Sequence, residues 1–127
     1  MPIVGIGTDI LSLTRIHALV QRRSCDHFAK RILSDREARV WETYREVELS
    51  KKVRFLAVRW AVKEATYKAL QPLYKLTWKN VSLLQDPSSG SNKPWIAIDS
   101  RLGCSYTLHC SISHDGDYVT SFVVAEK

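Results

Sequence analysis

A change of hydrophobic period at Pro72 constrains this chain more than any other feature of its sequence. Upstream, Val53, Phe55, Leu56, Val58, Trp60, Val62, Tyr67 and Leu70 recur at helical spacing in a segment that opens near Glu46. Pro72 stops it, because its ring and missing N–H cannot continue a helix. At 1.5 Å per residue the segment predicts a helix of roughly 35 Å, the spine of the fold. Downstream the period drops to 2, and Val81 to Leu84, Trp95 to Ile98, Tyr106 to Ile112 and Tyr118 to Val124 read as strands. Asp86 to Asn92 is a loop between the first two, and Asp115-Gly116 predicts a tight type I′ hairpin between the last two.

Ahead of the long helix, Pro2 to Thr8 reads as an apolar strand that contains Gly5 and Gly7 and runs straight into Asp9. Ser12 offers the cap of a helix whose apolar face is Leu13, Ile16, Leu19 and Val20 and which reaches about Arg22. Cys25 to Leu33 is a shorter helical stretch, and Ser34 with Glu37 forms an S-x-x-E capping box in front of Ala38, Val40 and Trp41. No repeat or linker interrupts residues 1–127. The expectation is a single α+β domain with a long central helix and shorter helices packed on a small, largely antiparallel β-sheet.

The 127 residues are 45% hydrophobic, enough for a core that needs neither disulfides nor metals to hold it. Three cysteines without C-x-x-C spacing point to reduced thiols, hence an intracellular protein of the cytoplasm or the mitochondrial matrix. No apolar run approaches the length that spans a bilayer, and no secretory pattern precedes the first strand. The net charge of +6 is unevenly placed: through Lys79 there are 16 Lys and Arg against 8 Asp and Glu, and beyond it 3 against 5. The basic character therefore belongs to the N-terminal part.

Three places break the local pattern. Trp60, Glu64 and Lys68 are four residues apart and share one face of the long helix, a face that is otherwise apolar. Glu64 and Lys68 are then either a surface pair in the favourable order or part of a functional site. Asp9 follows a strand whose glycines leave room for another backbone or a ligand; it is either a turn or cap residue near Ser12 or a ligating carboxylate. Two carboxylates from separate elements with a lysine nearby would suit magnesium and a phosphate substrate. Ser113-His114-Asp115 closes the last strand pair, where His114 is either a strand-end polar contact or a phosphate-binding or acid–base group. His17, His27 and His109 show no ligand spacing, and H-x-x-x-H, G-x-x-x-x-G-K-S/T and G-x-S-x-G patterns are all missing.

Together these features resemble the small 4′-phosphopantetheinyl transferases of the holo-[acyl-carrier-protein] synthase type. Gly7-Thr8-Asp9 matches that family's G-x-D strand end, and Trp60, Lys63, Glu64, Ala65 and Lys68 match every defined position of W/F-x-x-K-E-A-x-x-K. Phe28 to Glu37, Arg54-Phe55-Leu56-Ala57, Lys93-Pro94 and the Ser-His-Asp hairpin follow in the family's order. The resemblance implies transfer of the phosphopantetheine arm of coenzyme A to a serine of apo acyl carrier protein, releasing adenosine 3′,5′-bisphosphate. It implies Asp9 and Glu64 as magnesium ligands, Lys68 as a charge on the phosphates, and Glu64 as first candidate for taking the serine proton, with Asp115 as second. Lys68, Lys93, Pro94, His114 and Asp115 would hold coenzyme A, and Arg15, Arg22 and Arg23 would meet the acidic carrier. It further implies a homotrimer with sites at subunit interfaces.

One departure stands out: Leu70-Gln71-Pro72-Leu73-Tyr74 replaces the family's glycine-rich turn after the central helix. A basic nucleic-acid-binding module is the competing class, prompted by the pI of 9.4 and four tryptophans; no RNP-like or helix-turn-helix pattern accompanies it. An inactive homologue that only binds carrier protein would not need the intact Asp9, Glu64 and Lys68.

Overall fold

The change of period at Pro72 is realised as one long helix followed by strands. The computed structural model describes residues 2–127, in the order β1 (Ile3–Ser12), α1 (Leu13–Arg22), α2 (Cys25–Ile32), α3 (Asp35–Trp41), α4 (Leu49–Leu70), β2 (Val81–Leu84), β3 (Trp95–Ile98), β4 (Thr107–Asp115) and β5 (Tyr118–Glu126). The 22 residues of α4 span about 33 Å. The helix starts three residues later than its periodicity suggests, because a 3-10 turn at Glu42–Tyr44 and a bend precede it. The Ser34–Glu37 capping box is present, as is the Ser12 cap on α1.

Two antiparallel sheets replace the single one expected. β5 lies between β1 and β4, while the four-residue strands β2 and β3 pair only with each other. β1 also runs on past the expected end, so Asp9 lies inside the strand opposite Ser121 and is neither turn nor cap. The β4–β5 turn differs from the type I′ reading. Asp115 pairs with Tyr118, leaving Gly116-Asp117 as the two-residue loop, and only Gly116 has positive φ (56°). Glycine at the first position alone is the type II′ requirement; a type I′ turn needs positive φ at both.

α4 lies between α1–α3 and the strands, so it is buried on more than one side, with Val53, Leu56, Ala57, Ala61, Val62, Ala65 and Ala69 all enclosed. The approach of β1 to α4 is closer than side chains allow. A Cβ at Gly5 would stand 1.8 Å from the Ala69 carbonyl oxygen, and one at Gly7 would stand 1.9 Å from that of Ala65. The glycines therefore make room for a backbone, which sets α4 directly against the strand that carries Asp9.

At the other face of α4 lies a buried ion pair. Lys63 is fully enclosed, and its Nζ donates to Glu37 Oε1 at 2.5 Å, to the Ile32 carbonyl at 2.7 Å and to the Trp78 carbonyl at 2.9 Å. All three of its protons are used. Glu37 accepts in addition from the Ser34 N–H (3.0 Å) and the Leu83 N–H (2.9 Å), so the capping-box carboxylate also joins α3 to β2 and to α4. Breaking one member of such a pair costs about 3–5 kcal/mol, because the other charge is left buried. Lys63→Met and Glu37→Gln are each expected to lower unfolding free energy by that order, and the double variant by less than their sum, as read in urea titrations.

Candidate active site

Three elements converge on the carboxylate of Asp9. β1 supplies Asp9 itself, α4 supplies Glu64 and Lys68, and α1 begins immediately after β1 and supplies Arg15. Lys68 does not pair with Glu64, the partner that i,i+4 spacing offers. Its Nζ donates to the Thr8 carbonyl at 2.9 Å and stands 3.6 Å from Asp9 Oδ1. That geometry follows from the Gly5/Gly7 contact, which brings β1 within reach of a lysine on α4.

Glu64 lies close enough to Asp9 to feel its charge. Burial pushes the Asp9 carboxyl above its ordinary value, against the opposing pull of Lys68 and Arg15. Burial also raises Glu64, and the negative charge of Asp9 raises it further, while Lys68 and Arg15 act in the opposite sense. Two half-enclosed carboxyl groups with raised proton affinity repel one another until a cation lies between them. No group of three or more His, Cys, Asp or Glu gathers for a metal among the described residues. A two-carboxylate site suits a hard divalent ion that keeps waters and takes the rest of its shell from a phosphate.

Aromatic rings line the approach. Phe28 stacks on Trp60 (centroids 5.4 Å apart), Trp60 meets Trp78 at 5.1 Å, and Tyr67 meets the edge of Trp78 at 5.7 Å. The Arg15 guanidinium stands 5.8 Å over the Trp60 ring. One turn before Glu64, a cavity of about 450 Å³ opens between Leu19, Phe28, Trp60 and Trp78, with Arg22 and Arg23 on its lining. Beyond Lys68, a second cavity of about 420 Å³ is bounded by Tyr67, Gln71, Pro72 and Tyr74. The segment that departs from the glycine-rich turn thus forms a wall of this second cavity.

The remaining candidates lie elsewhere. Lys93 and Pro94 precede β3, where the Pro94 carbonyl accepts from Cys110 Sγ at 3.6 Å. His114 and Asp115 are exposed at the end of β4. β5 separates β4 from β1, and His114 is in register with Val119 and Leu11, two residues beyond Asp9. Two inter-strand spacings and two residue rises put His114 about 12 Å from Asp9, so the two do not share one phosphate within a single chain. The sequence reading missed the partners of Lys63 and assigned Glu37 a cap alone; a carboxylate and a lysine enclosed on different helices leave no spacing signal.

The fold and its carboxylate pair, faced by a lysine and an arginine across a strand–helix contact, make this the scaffold of an enzyme for anionic, phosphate-bearing substrates. Residues 5–123 match the 4′-phosphopantetheinyl transferase superfamily, and the chain belongs to that family. It is 36% identical to the holo-[acyl-carrier-protein] synthase of Paraburkholderia phymatum, with 99% of this chain and 96% of that one covered. It is also 36% identical to the synthase of Leptothrix cholodnii (98% and 96%). Among solved structures, the synthase from Neisseria meningitidis superposes with a TM-score of 0.80 at 33% identity, covering 99% of this chain and 100% of that one. That from Bacillus anthracis, in complex with coenzyme A (3′,5′-ADP), superposes with a TM-score of 0.77 at 30% identity, covering 98% and 96%. No helix among the described residues is long and apolar enough to cross a membrane.

Because burial raises the Asp9 carboxyl, its ionised form opposes folding. The penalty is absent below the ordinary carboxylate value, where folded and unfolded chains are both protonated, and sets in as pH rises past it. Asp9→Asn is therefore expected to melt at the same or a higher temperature than the unsubstituted chain at neutral pH in chelator, by scanning calorimetry.

Proposed function

We propose that this protein transfers the 4′-phosphopantetheine arm of coenzyme A to a serine hydroxyl of apo acyl carrier protein, releasing adenosine 3′,5′-bisphosphate. The observation that carries this reading is the convergence of Asp9, Glu64 and Lys68 on one point beside an arginine-lined apolar cavity. Family membership and the coenzyme A complex of a relative support it. The chain acts as one domain, since its first and last strands pair along their length.

Asp9 and Glu64 are the residues that would hold magnesium, and a bound ion would supply charge stabilisation on the pyrophosphate oxygens. Lys68, held by Thr8 and Asp9, keeps a positive charge against the phosphate that departs. Glu64, placed one helical turn from Trp60 and Lys68, is the first candidate for taking the serine proton. Displacement at phosphorus asks chiefly for such positioning. Asp115, exposed and distant from this point in one chain, is the weaker candidate for the base and serves coenzyme A with Lys93, Pro94 and His114.

Arg15, Arg22 and Arg23 are proposed to meet the acidic helix of the carrier. Arg22 and Arg23 border the Trp60 cavity and Arg15 stands over the Trp60 ring, so a carrier docked there presents its serine one helical turn from Glu64. Exposed charges of this sort raise the association rate and make it sensitive to salt.

The outer face of the three-stranded sheet supports the homotrimer. Ile3, Ile6, Ile10, Tyr118 and Phe122 are between 54% and 69% exposed there, an apolar patch of the sort that marks an interface. Copies meeting on it would bring His114 and Asp115 of one chain toward Asp9 and Glu64 of another, which a single chain does not achieve. The unpaired cysteines support an intracellular enzyme, and the bacterial relatives favour the cytoplasm over a mitochondrial matrix.

Incubation with coenzyme A, magnesium and an apo carrier protein is expected to add the phosphopantetheine mass to the carrier, and no gain with carriers that a known synthase modifies would refute the assignment. Glu64→Gln and Asp9→Asn are each expected to lower turnover by about 10²-fold or more. Raised carboxyl pKa values make protons compete with the cation, so activity should fall on mild acidification at a pH above that set by ordinary carboxylates. Light scattering is expected to give the mass of three chains, and of one chain for Phe122→Asp.

A further inference from the structure

The N-terminus of α1 is capped from the far end of the sequence. Asp117 occupies the second position of the β4–β5 turn, and its carboxylate faces the start of α1. Oδ2 accepts from the Ser12 hydroxyl, while Oδ1 accepts from the Thr14 N–H at 3.0 Å and the Thr14 hydroxyl at 2.7 Å. The Asp117 carbonyl accepts the Leu13 N–H at 2.7 Å. Ser12 Oγ, oriented by its bond to Asp117, receives the Arg15 N–H at 3.4 Å. The first three N–H groups of α1 thus end on Asp117 or on a hydroxyl that Asp117 holds. The first turn of α1 has no acidic residue of its own, so Asp117 brings the negative charge that the positive end of the helix favours. Bonds from Ser12 and Thr14 hold its carboxyl below the ordinary range, as expected of an ionised cap.

α1 also carries Arg15 and Arg22, and Arg23 caps its C-terminal end. We propose that Asp117 is a positioning residue for carrier-protein recognition: its carboxylate pins α1 to the β4–β5 turn and so keeps Arg15 over Trp60, beside Asp9 and Glu64. This rests on the reading of α1 as the surface that meets the carrier. The turn itself does not depend on the carboxylate, because the ladder pairs Asp115 with Tyr118, His114 with Val119 and Ser12 with Tyr118. Removing the carboxylate frees the helix and leaves the hairpin in place. Carrier-side parameters should therefore move while cofactor-side parameters stay.

The test is steady-state transfer from coenzyme A to an apo acyl carrier protein by Asp117→Ala and Asp117→Asn. Asp117→Ala is expected to raise KM for the carrier about fivefold, the size of one lost cap, to lower kcat by less than that, and to leave KM for coenzyme A unchanged. Asp117→Asn, a competent cap, is expected to restore most of the carrier KM. In an Arg15→Ala background Asp117→Ala should add less than it does alone, since both changes act on the Arg15 contact. An unchanged carrier KM, or a fall in kcat and melting temperature with KM constant, overturns the positioning role while the transferase reading stands. Absence of transfer by the unsubstituted chain overturns both.

Discussion

The ion pair between Lys63 and Glu37 is the interaction on which the rest of the structure depends. Each partner is fully enclosed, and each spends its remaining hydrogen-bonding capacity on backbone: Lys63 on the end of α2 and the turn before β2, Glu37 on the start of α3 and on β2. Four segments are thereby tied to one point on α4. A pair of this kind adds little net stability over an apolar substitute of the same shape, and here its hydrogen bonds hold the surrounding elements at fixed distances from α4. The arrangement matters because Glu64 is the next residue: whatever fixes the rotation of α4 at Lys63 also fixes which way Glu64 points.

The opposite side of α4 is fixed by the absence of side chains. Gly5 and Gly7 leave the β1 backbone in contact with the carbonyls of Ala65 and Ala69. Lys68 lies on the same helical turn and is delivered to Thr8 and Asp9. The site therefore forms between a contact that tolerates no added atom and an ion pair that tolerates no missing one. The enclosed carboxylates oppose folding when ionised, and the core around them offsets that cost. Their mutual repulsion is the physical basis of the cation site proposed here.

Much of this was legible in the residues. The periods before and after Pro72 foretold α4 and the strands, with β2 and β3 matching residue for residue, because a buried helix and a half-buried strand each impose their own spacing. The capping residues Ser12, Ser34 and Glu37 were visible because capping is local. Asp9, Glu64 and Lys68 drew attention as polar residues where the pattern asked for apolar ones. Less legible were the extension of β1 through Asp9, which depends on pairing with β5 more than 100 residues away, and the turn type, which depends on where that pairing ends.

By itself, then, the sequence determined the helix–strand order and the helix caps and singled out the three polar residues of the candidate site, since these follow from propensity and from spacing along one element. Only the tertiary structure decided that Lys68 turns to Asp9 and away from Glu64, that the motif lysine Lys63 is buried against Glu37, and that Asp117 caps α1. It also decided that His114 stands a full strand away from Asp9. Each of these depends on the distance between residues far apart in the chain, and such distances are set by packing: a glycine that lets two backbones touch, a charge that must find its partner, a strand interposed between two others.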